Sequence, residues 1–405
     1  MSTNNSEGKS LQEIREVRIE KVEKIKELGF NPYDYKFDRT HTAAEIIDNY
    51  EELKEEVTIK TAGRLVAIRR MGKANFCDLR DNQTNLQIYV QKNKIDEDQY
   101  KLFDLLDIGD IIGVTGKVMK SRTGEITIFV EELDILTKSI RPIPIVKESD
   151  DKTYDSFSDK ELRYRKRYLD LIVNPDVKEV FETRSKIVEW TRNFLNGHDY
   201  LEVETPILQP LYGGANARPF KTYYNALNSE FYLRIADELY LKRLIIGGFD
   251  RVYELSKNFR NEGVDRNHNP EFTLLEFYQT YVDYEYMMDF VEKFFKFMAE
   301  KLDKTTFEFN GHEIDLKHSF ARHSMFELIK KYTGQDVSEA DADELKKICK
   351  EKGMEVEPQD HYGSFIEYLF DEFVEPELVQ PTFVTGLPKG SCPLGKRKRN
   401  GSSTR

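Results

Sequence analysis

Residues 252–286, VYELSKNFRNEGVDRNHNPEFTLLEFYQTYVDYEY, constrain the fold more than any other stretch of the chain. Residues 252–259 carry enough β-branched and aromatic side chains for a strand, and they run into a charged turn, Arg260-Asn261-Glu262-Gly263. A polar segment, Asp265-Arg266-Asn267-His268-Asn269-Pro270, leads to a second strand over 271–281. There Glu271, Thr273, Leu275, Phe277 and Gln279 alternate with Phe272, Leu274, Glu276 and Tyr278, so Glu276 and Tyr278 share the face of Phe272. A carboxylate buried on such a face needs a cation or hydrogen-bond donors. The residue chemistry alone supports an anion-binding hairpin, and its plainer alternative is a solvated one.

The rest of the chain is organised around this hairpin. With 405 residues there is room for two or three domains, and 39% hydrophobic against 33% charged residues describes a globular chain. No run of 18 apolar residues exists, so no membrane span is expected. Cys77, Cys349 and Cys392 are far apart, with no zinc spacing, which fits a reducing cytoplasm. His312, His318, His323 and His361 form no metal-binding pattern. A net charge of -12 argues against non-specific coating of nucleic acid but leaves room for a local basic face. Residues 11–28 read as a helix with Leu11, Ile14, Val17, Val22, Ile25 and Leu28 as its apolar stripe and Arg15 and Arg18 on or beside the solvated face. A further short helix is expected over 42–53. Between 57 and 136, five short strands with one helix between the third and fourth give the order of an OB-fold barrel. Phe76 and Tyr89, with Arg64, Arg69, Arg70 and Lys73, supply stacking and phosphate-binding groups of the kind used on single-stranded nucleic acid. A basic aromatic helix is expected over 159–171. A longer one follows from Pro175 to about 196, burying Phe181, Ile187, Val188, Trp190 and Phe194. Phe290, Phe294, Phe295 and Phe297 read as core of a helix over 281–302, residues 338–352 as an acidic surface helix, and 367–378 as another helix.

The form FRNEG, HNPEFT, EFY resembles the second signature motif of class II aminoacyl-tRNA synthetases, in its lysyl branch. Residues 197–206, GHDYLEVETP, resemble the first motif, and GRLVAIRRMGKANFCDLRD with LQIYV resembles the family's anticodon-binding barrel. The resemblance implies an α+β chain: an N-terminal OB-fold β-barrel plus a class II antiparallel-sheet catalytic domain, C-terminally incomplete. The expected parts are a helical extension (1–56), an OB-fold anticodon-binding domain (57–144) and a catalytic domain (145–405). It implies a lysine–tRNA ligase using ATP and Mg2+, acting on L-lysine and tRNA(Lys) as a cytoplasmic homodimer. Arg260 would meet the α-phosphate, where a planar fork can engage two acceptors. Glu262, His268 and Asn269 would lie around the adenine amine and outer phosphates, with Phe272 under the adenine ring. Arg260 and Glu262 are the candidate catalytic residues. Glu238, beside the Gly213-Gly214-Ala215 loop, would receive the α-ammonium of lysine, and Glu276 with Tyr278 the side-chain ammonium. On the barrel, Phe76 would stack on an anticodon base while Gln87 and Glu132 read base edges.

The match breaks near the end. Residues 390–405 are small, polar and basic, and the Pro393-Leu394 piece only echoes the loop expected there. The strand whose glutamates bind magnesium and the third motif, with its ATP-clamping arginine, are not in the sequence, so no metal ligands are assigned. Alternatives are a non-catalytic tRNA-binding fragment or paralogue, and a ligase that modifies proteins, which the well-formed barrel disfavours. Loss of a phosphate arginine and metal ligands costs several kcal/mol at the transition state. The 405-residue chain is therefore expected to be severely impaired in lysine-dependent ATP–pyrophosphate exchange, and exchange near family rates would contradict this.

Overall fold

A computed structural model describes residues 10–54, 57–144, 147–149, 152–154, 157–265 and 267–388. Arg266, Cys392 and the basic end over 390–405 lie outside them. The chain forms two compact units, residues 1–181 and 182–405.

In the first unit, Ser10 and Glu13 form a capping box that starts α1 (Leu11–Glu27). Val22 and Ile25 are buried, but Leu11 and Val17 of the expected stripe are exposed. Arg18, expected on or beside the solvated face, is buried instead and donates to the carbonyls of Ser139 and Ile108 at 2.8 and 3.1 Å. The helix expected over 42–53 is two, α2 (Ala43–Asp48) and α3 (Tyr50–Leu53), separated at Asn49. Strands β1 (Thr58–Met71), β2 (Ala74–Asp81), β3 (Thr84–Gln91), β4 (Ile111–Lys120) and β5 (Ile126–Thr137) close into a barrel in the order β1-β2-β3-β5-β4. Helix α4 (Glu97–Leu105) lies between β3 and β4, as an OB-fold requires. Its inward residues, among them Ile59, Leu65, Leu79, Ile88, Val114 and Ile128, form one core.

Where β5 ends, Lys138 is fully buried, its Nζ 2.6 Å from Asp107 and 2.7 Å from Asp110. Lys21 of α1 reaches the other oxygen of Asp107 at 2.7 Å. Burial pushes the Asp107 carboxyl up, but the two ammonium groups outweigh it and hold it below its ordinary range.

Beyond the barrel, β6 (Lys147–Ser149) and β7 (Lys152–Tyr154) pair as a short hairpin. The basic helix expected over 159–171 is broken at Lys166 into α5 (Lys160–Arg165) and α6 (Arg167–Val173). Arg163, Arg167 and Asn174 converge on the buried Asp170 carboxylate, a use of these cations that leaves fewer of them for solvent. Arg80 and Gln83 of the barrel donate to the carbonyls of Ile172 and Pro175, both at 3.1 Å, tying α6 to the barrel. Helix α7 (Asp176–Asn196) starts directly after Pro175.

In the second unit, β8 (Leu201–Glu202), β9 (Leu208–Gln209), β10 (Lys221–Tyr224), β11 (Ser229–Leu233), α8 (Glu238–Ile246), β12 (Arg251–Phe259) and β13 (Glu271–Gln279) follow in order. Then come α9 (Tyr284–Lys301), β14 (Thr306–Phe309), β15 (His312–Asp315), β16 (Ala321–Ser324), α10 (Met325–Thr333), α11 (Ala342–Glu351), α12 (Tyr362–Phe373) and β17 (Thr382–Thr385). The sheet that matters for the site has the order β13-β12-β8, with β12 and β13 antiparallel and β8 parallel to β12. One face packs Tyr253, Leu255, Leu275 and Phe277 against Phe194, Tyr200 and Phe290. Only the last turns of α7 reach that core, so Phe181 and Ile187, expected to be buried, are exposed, as is Phe295 of α9. Helix α11 is not a surface appendage: Leu345 and Cys349, one turn apart, are buried in a second core with α10 and α12. Helix α12 starts at Tyr362 rather than 367, capped by His361. No helix among the described residues is long and apolar enough to cross a membrane.

Removing one partner from a buried charge cluster strands the others. We expect Lys138→Ala to lower unfolding free energy by about 3–5 kcal/mol in urea titrations. Lys26→Ala, which breaks an exposed pair with Glu23, should cost under about 1 kcal/mol. Equal costs would refute the special role of the buried cluster.

Candidate functional site

Strand alternation sorts the hairpin into two faces. Opposite the apolar core face, Glu254, Ser256, Asn258 and Arg260 of β12 and its turn line up with Phe272, Leu274, Glu276 and Tyr278 of β13. Asn258 stands opposite Phe272, Ser256 opposite Leu274, and Glu254 opposite Glu276. So polar a surface persists because its groups satisfy one another. Arg234, just after β11, is nearly fully buried and reaches Glu254 at 2.7 Å, the Lys257 carbonyl at 2.9 Å and the Thr205 carbonyl at 3.1 Å. The Thr205 hydroxyl donates to the second oxygen of Glu254 at 2.7 Å.

The N-terminal end of α8 lies over this face. Asp237, the residue before the helix, accepts from the Ser256 hydroxyl and from Asn258 Nδ2. Its backbone N–H donates to Glu276 Oε1 at 3.3 Å, while the Tyr278 hydroxyl donates to Glu276 Oε2 at 3.0 Å. Burial raises the Glu276 carboxyl above its ordinary value, and the bonds from Tyr278 and the Asp237 amide offset only part of this. Burial and the neighbouring Glu276 charge push the Tyr278 phenol far up, so it stays protonated as a donor. Glu238 follows at the first helical position and holds Lys242 at 2.5 Å. Gly214 sits against it with φ +91°, where a Cβ would lie 3.0 Å from Glu238 Cβ and 3.1 Å from Ala236 Cβ. Only glycine allows that approach.

At the turn, the Arg260 guanidinium lies over the Phe272 ring, 5.1 Å from its centroid. Its Nε is buried and, among the described residues, has no hydrogen-bond partner. Glu262 is exposed and accepts from the Arg218 amide at 3.3 Å, drawing the glycine-rich loop to the turn. His268 and Asn269 are exposed on the hairpin loop, His268 bonded to Asp265 at 2.7 Å. Among the described residues, no group of three or more His, Cys, Asp or Glu could hold a metal ion.

The barrel carries a second candidate surface. Phe76, Tyr89 and Phe129 form an aromatic row across β2, β3 and β5, with centroids 4.8 and 5.6 Å apart. Gln87, one outward position from Tyr89, donates to Glu125 at 2.6 Å and accepts from the Thr127 hydroxyl at 2.9 Å. A bulge in β5 makes Val130 oppose Gly116 and Glu132 oppose Thr115, which returns Glu132 to the outward face beyond Phe129. The arginines there are less available than the sequence suggests. Arg69 makes a two-pronged pair with Asp78 at 2.6 and 2.7 Å, Arg70 pairs with Asp104, and Arg64 donates to the Gly109 carbonyl.

Two family profiles match this chain: "tRNA synthetases class II (D, K and N)" over residues 159–404 and "OB-fold nucleic acid binding domain" over 59–136. The lysine–tRNA ligase of Pelotomaculum thermopropionicum is 49% identical over 394 residues, 96% of this chain and 76% of that protein. That of Carboxydothermus hydrogenoformans is 47% identical over 395 residues, 97% of this chain and 79% of that protein. The chain belongs to the class II lysyl-tRNA synthetase family. The lysine–tRNA ligase of Christiangramia forsetii is 46% identical over 401 residues, covering 97% of this chain and 70% of its own length.

Of the positions that lysyl-tRNA synthetase motifs single out, the structure brings Arg260 to Phe272, and Gly214 to Glu238. It joins Glu276 to Tyr278 and gathers Phe76, Gln87 and Glu132 on one barrel face. Glu262, His268 and Asn269 are exposed on the hairpin loop, where Glu262 bonds the Arg218 amide and His268 bonds Asp265. Sequence reading missed Asp237, Ser256, Asn258 and the Arg234–Glu254 pair. A signal for three of them was present, since Glu254, Ser256 and Asn258 alternate in phase with Arg260.

Proposed function

We propose that this chain takes ATP and L-lysine into the cleft over the β12–β13 hairpin and serves the charging of tRNA(Lys). The observation that carries this reading is the pair of carboxylates, Glu276, bonded by the Asp237 amide, and Glu238, the next residue along. Lysine brings two ammonium groups, and each needs an acceptor to offset its lost hydration. Glu238, against Gly214, suits the α-ammonium, and Glu276, oriented by Tyr278, suits the side-chain ammonium. Aspartate or asparagine would leave the half-buried Glu276 without a cation.

In this reading the lysine carboxylate attacks the α-phosphorus of ATP, the bond to the bridging oxygen breaks, and pyrophosphate leaves. Arg260 stabilises the phosphoryl oxygens through the Nε that lacks a partner among the described residues, Phe272 underlies the adenine, and Glu262, His268 and Asn269 border the nucleotide. A hydroxyl of the terminal tRNA ribose then attacks the lysyl carbonyl, and AMP departs. Magnesium would come with ATP and neutralise charge on its phosphates; no carboxylate ligand for it is assigned among the described residues. Phe76, at the end of the row it forms with Tyr89 and Phe129, is suited to stack an anticodon base, with Gln87 and Glu132 as base-edge partners. Exposed Ile187, Leu201 and Leu208 of the second unit support a second copy as partner. The buried, unpaired Cys77 and Cys349 fit a reducing cytoplasm.

The test is calorimetric titration of the chain with stable sulfamoyl analogues of lysyl, aspartyl and asparaginyl adenylate. The lysyl analogue should bind tightest, and Glu276→Gln should weaken it at least about thirtyfold. Gly214→Ala should weaken it about tenfold by displacing Glu238. Because Glu276 must be ionised to pair with the ammonium and its carboxyl is raised, affinity should fall on acidification while still above 4.5, the ordinary glutamate value. Glu276→Gln should abolish that fall. Equal binding of the aspartyl analogue would refute the reading.

A further inference from the structure

Asp237 stands where a residue that caps its own helix would stand, yet its side chain accepts nothing from α8. It is fully buried, and both its oxygens are turned onto β12, one to the Ser256 hydroxyl and the other to Asn258 Nδ2 at 3.2 Å. Asn258 Nδ2 also donates to Ser256 Oγ at 2.7 Å, which closes a three-membered ring of hydrogen bonds. Arg234, the nearest cation, approaches at 3.3 Å but is already committed to Glu254 at 2.7 Å. A buried carboxylate whose only cation is shared with Glu254 is a costly way to pin a helix when a neutral side chain could cap it. What this one achieves is a junction of three elements. Its side chain fixes the start of α8 to β12, its N–H holds Glu276 of β13, and the next residue is Glu238.

We propose that Asp237 is a positioning residue that sets the distance between the two ammonium acceptors, Glu238 and Glu276, and so the length of diamino acid the cleft accepts. This rests on the lysine reading above. Asp237 touches neither ammonium group; it acts through the backbone and through Glu276. Lysine and ornithine carry the same charges and differ by one methylene, so discrimination between them reports acceptor spacing and little else.

The experiment titrates the 405-residue chain with the sulfamoyl analogues of lysyl and ornithyl adenylate. Their shared nucleotide contributes equally, so the ratio of affinities isolates the amino-acid end. The unaltered chain should prefer the lysyl analogue by about tenfold or more. Asp237→Ala should reduce the preference to within about threefold. Asp237→Asn, which keeps the shape and can bond both Ser256 and Asn258, should retain it. Ser256→Ala, which removes one partner without altering Asp237, should shift the ratio in the same direction by less and serves if Asp237→Ala does not fold. A merely structural Asp237 would weaken both analogues alike and leave the ratio unchanged, which would overturn the inference. An unaltered chain that binds neither analogue would instead sink the lysine reading itself, and this inference with it.

Discussion

The register of β12 against β13 is the constraint on which the second unit depends. From Arg251 opposite Gln279 to Phe259 opposite Glu271, the pairing is unbroken and free of bulges. Because side chains alternate, a slip of one residue in either strand would carry its core set to the pocket and its pocket set to the core. Tyr253, Leu255, Leu275 and Phe277 would lose their packing against Phe194 and Phe290, and Glu276 would be driven into that aromatic cluster. The apolar face therefore protects the polar one. Nothing in the cleft needs to be strong enough to hold the hairpin together.

The cleft is then free to be costly. Arg234, Glu254 and Asp237 are ionisable and almost wholly buried in the same small region. Each loses hydration, and only close geometry recovers it, through Thr205, Ser256, Asn258 and the backbone of Lys257. The network makes no use of flexible surface side chains. Two of its donors, Ser256 and Asn258, sit on β12, where the paired backbone has little freedom to move.

How much of this was legible in the sequence varies with the range of the interactions. Barrel, hairpin and most helix starts follow from local signals: Ser10, Thr42 and Ser324 cap helices, and the two-residue alternation gives the strands. Residue types in the motifs singled out Arg260, Phe272, Glu276 and Tyr278 as candidates. What the sequence could not show was partnership across distance. Arg18 reads as a surface residue because its acceptors, the carbonyls of Ile108 and Ser139, lie far along the chain. Phe181 and Phe295 read as core because periodicity cannot tell how far a neighbouring sheet extends. Asp237 goes unmarked in the sequence because its partners, Ser256 and Asn258, stand on a separate strand.

The charge cluster at Lys138 has a consequence for how the chain is made. Helix α1 contributes Arg18 and Lys21, yet the groups they meet are Asp107, Ile108 and Ser139. A ribosome releases the helix first and its acceptors much later. The helix can acquire local structure early, but its buried contacts close only after residue 139 has emerged. Docking of the N-terminal segment thus reports that the whole barrel is complete, and the first part of the polypeptide to be synthesised is among the last to be secured.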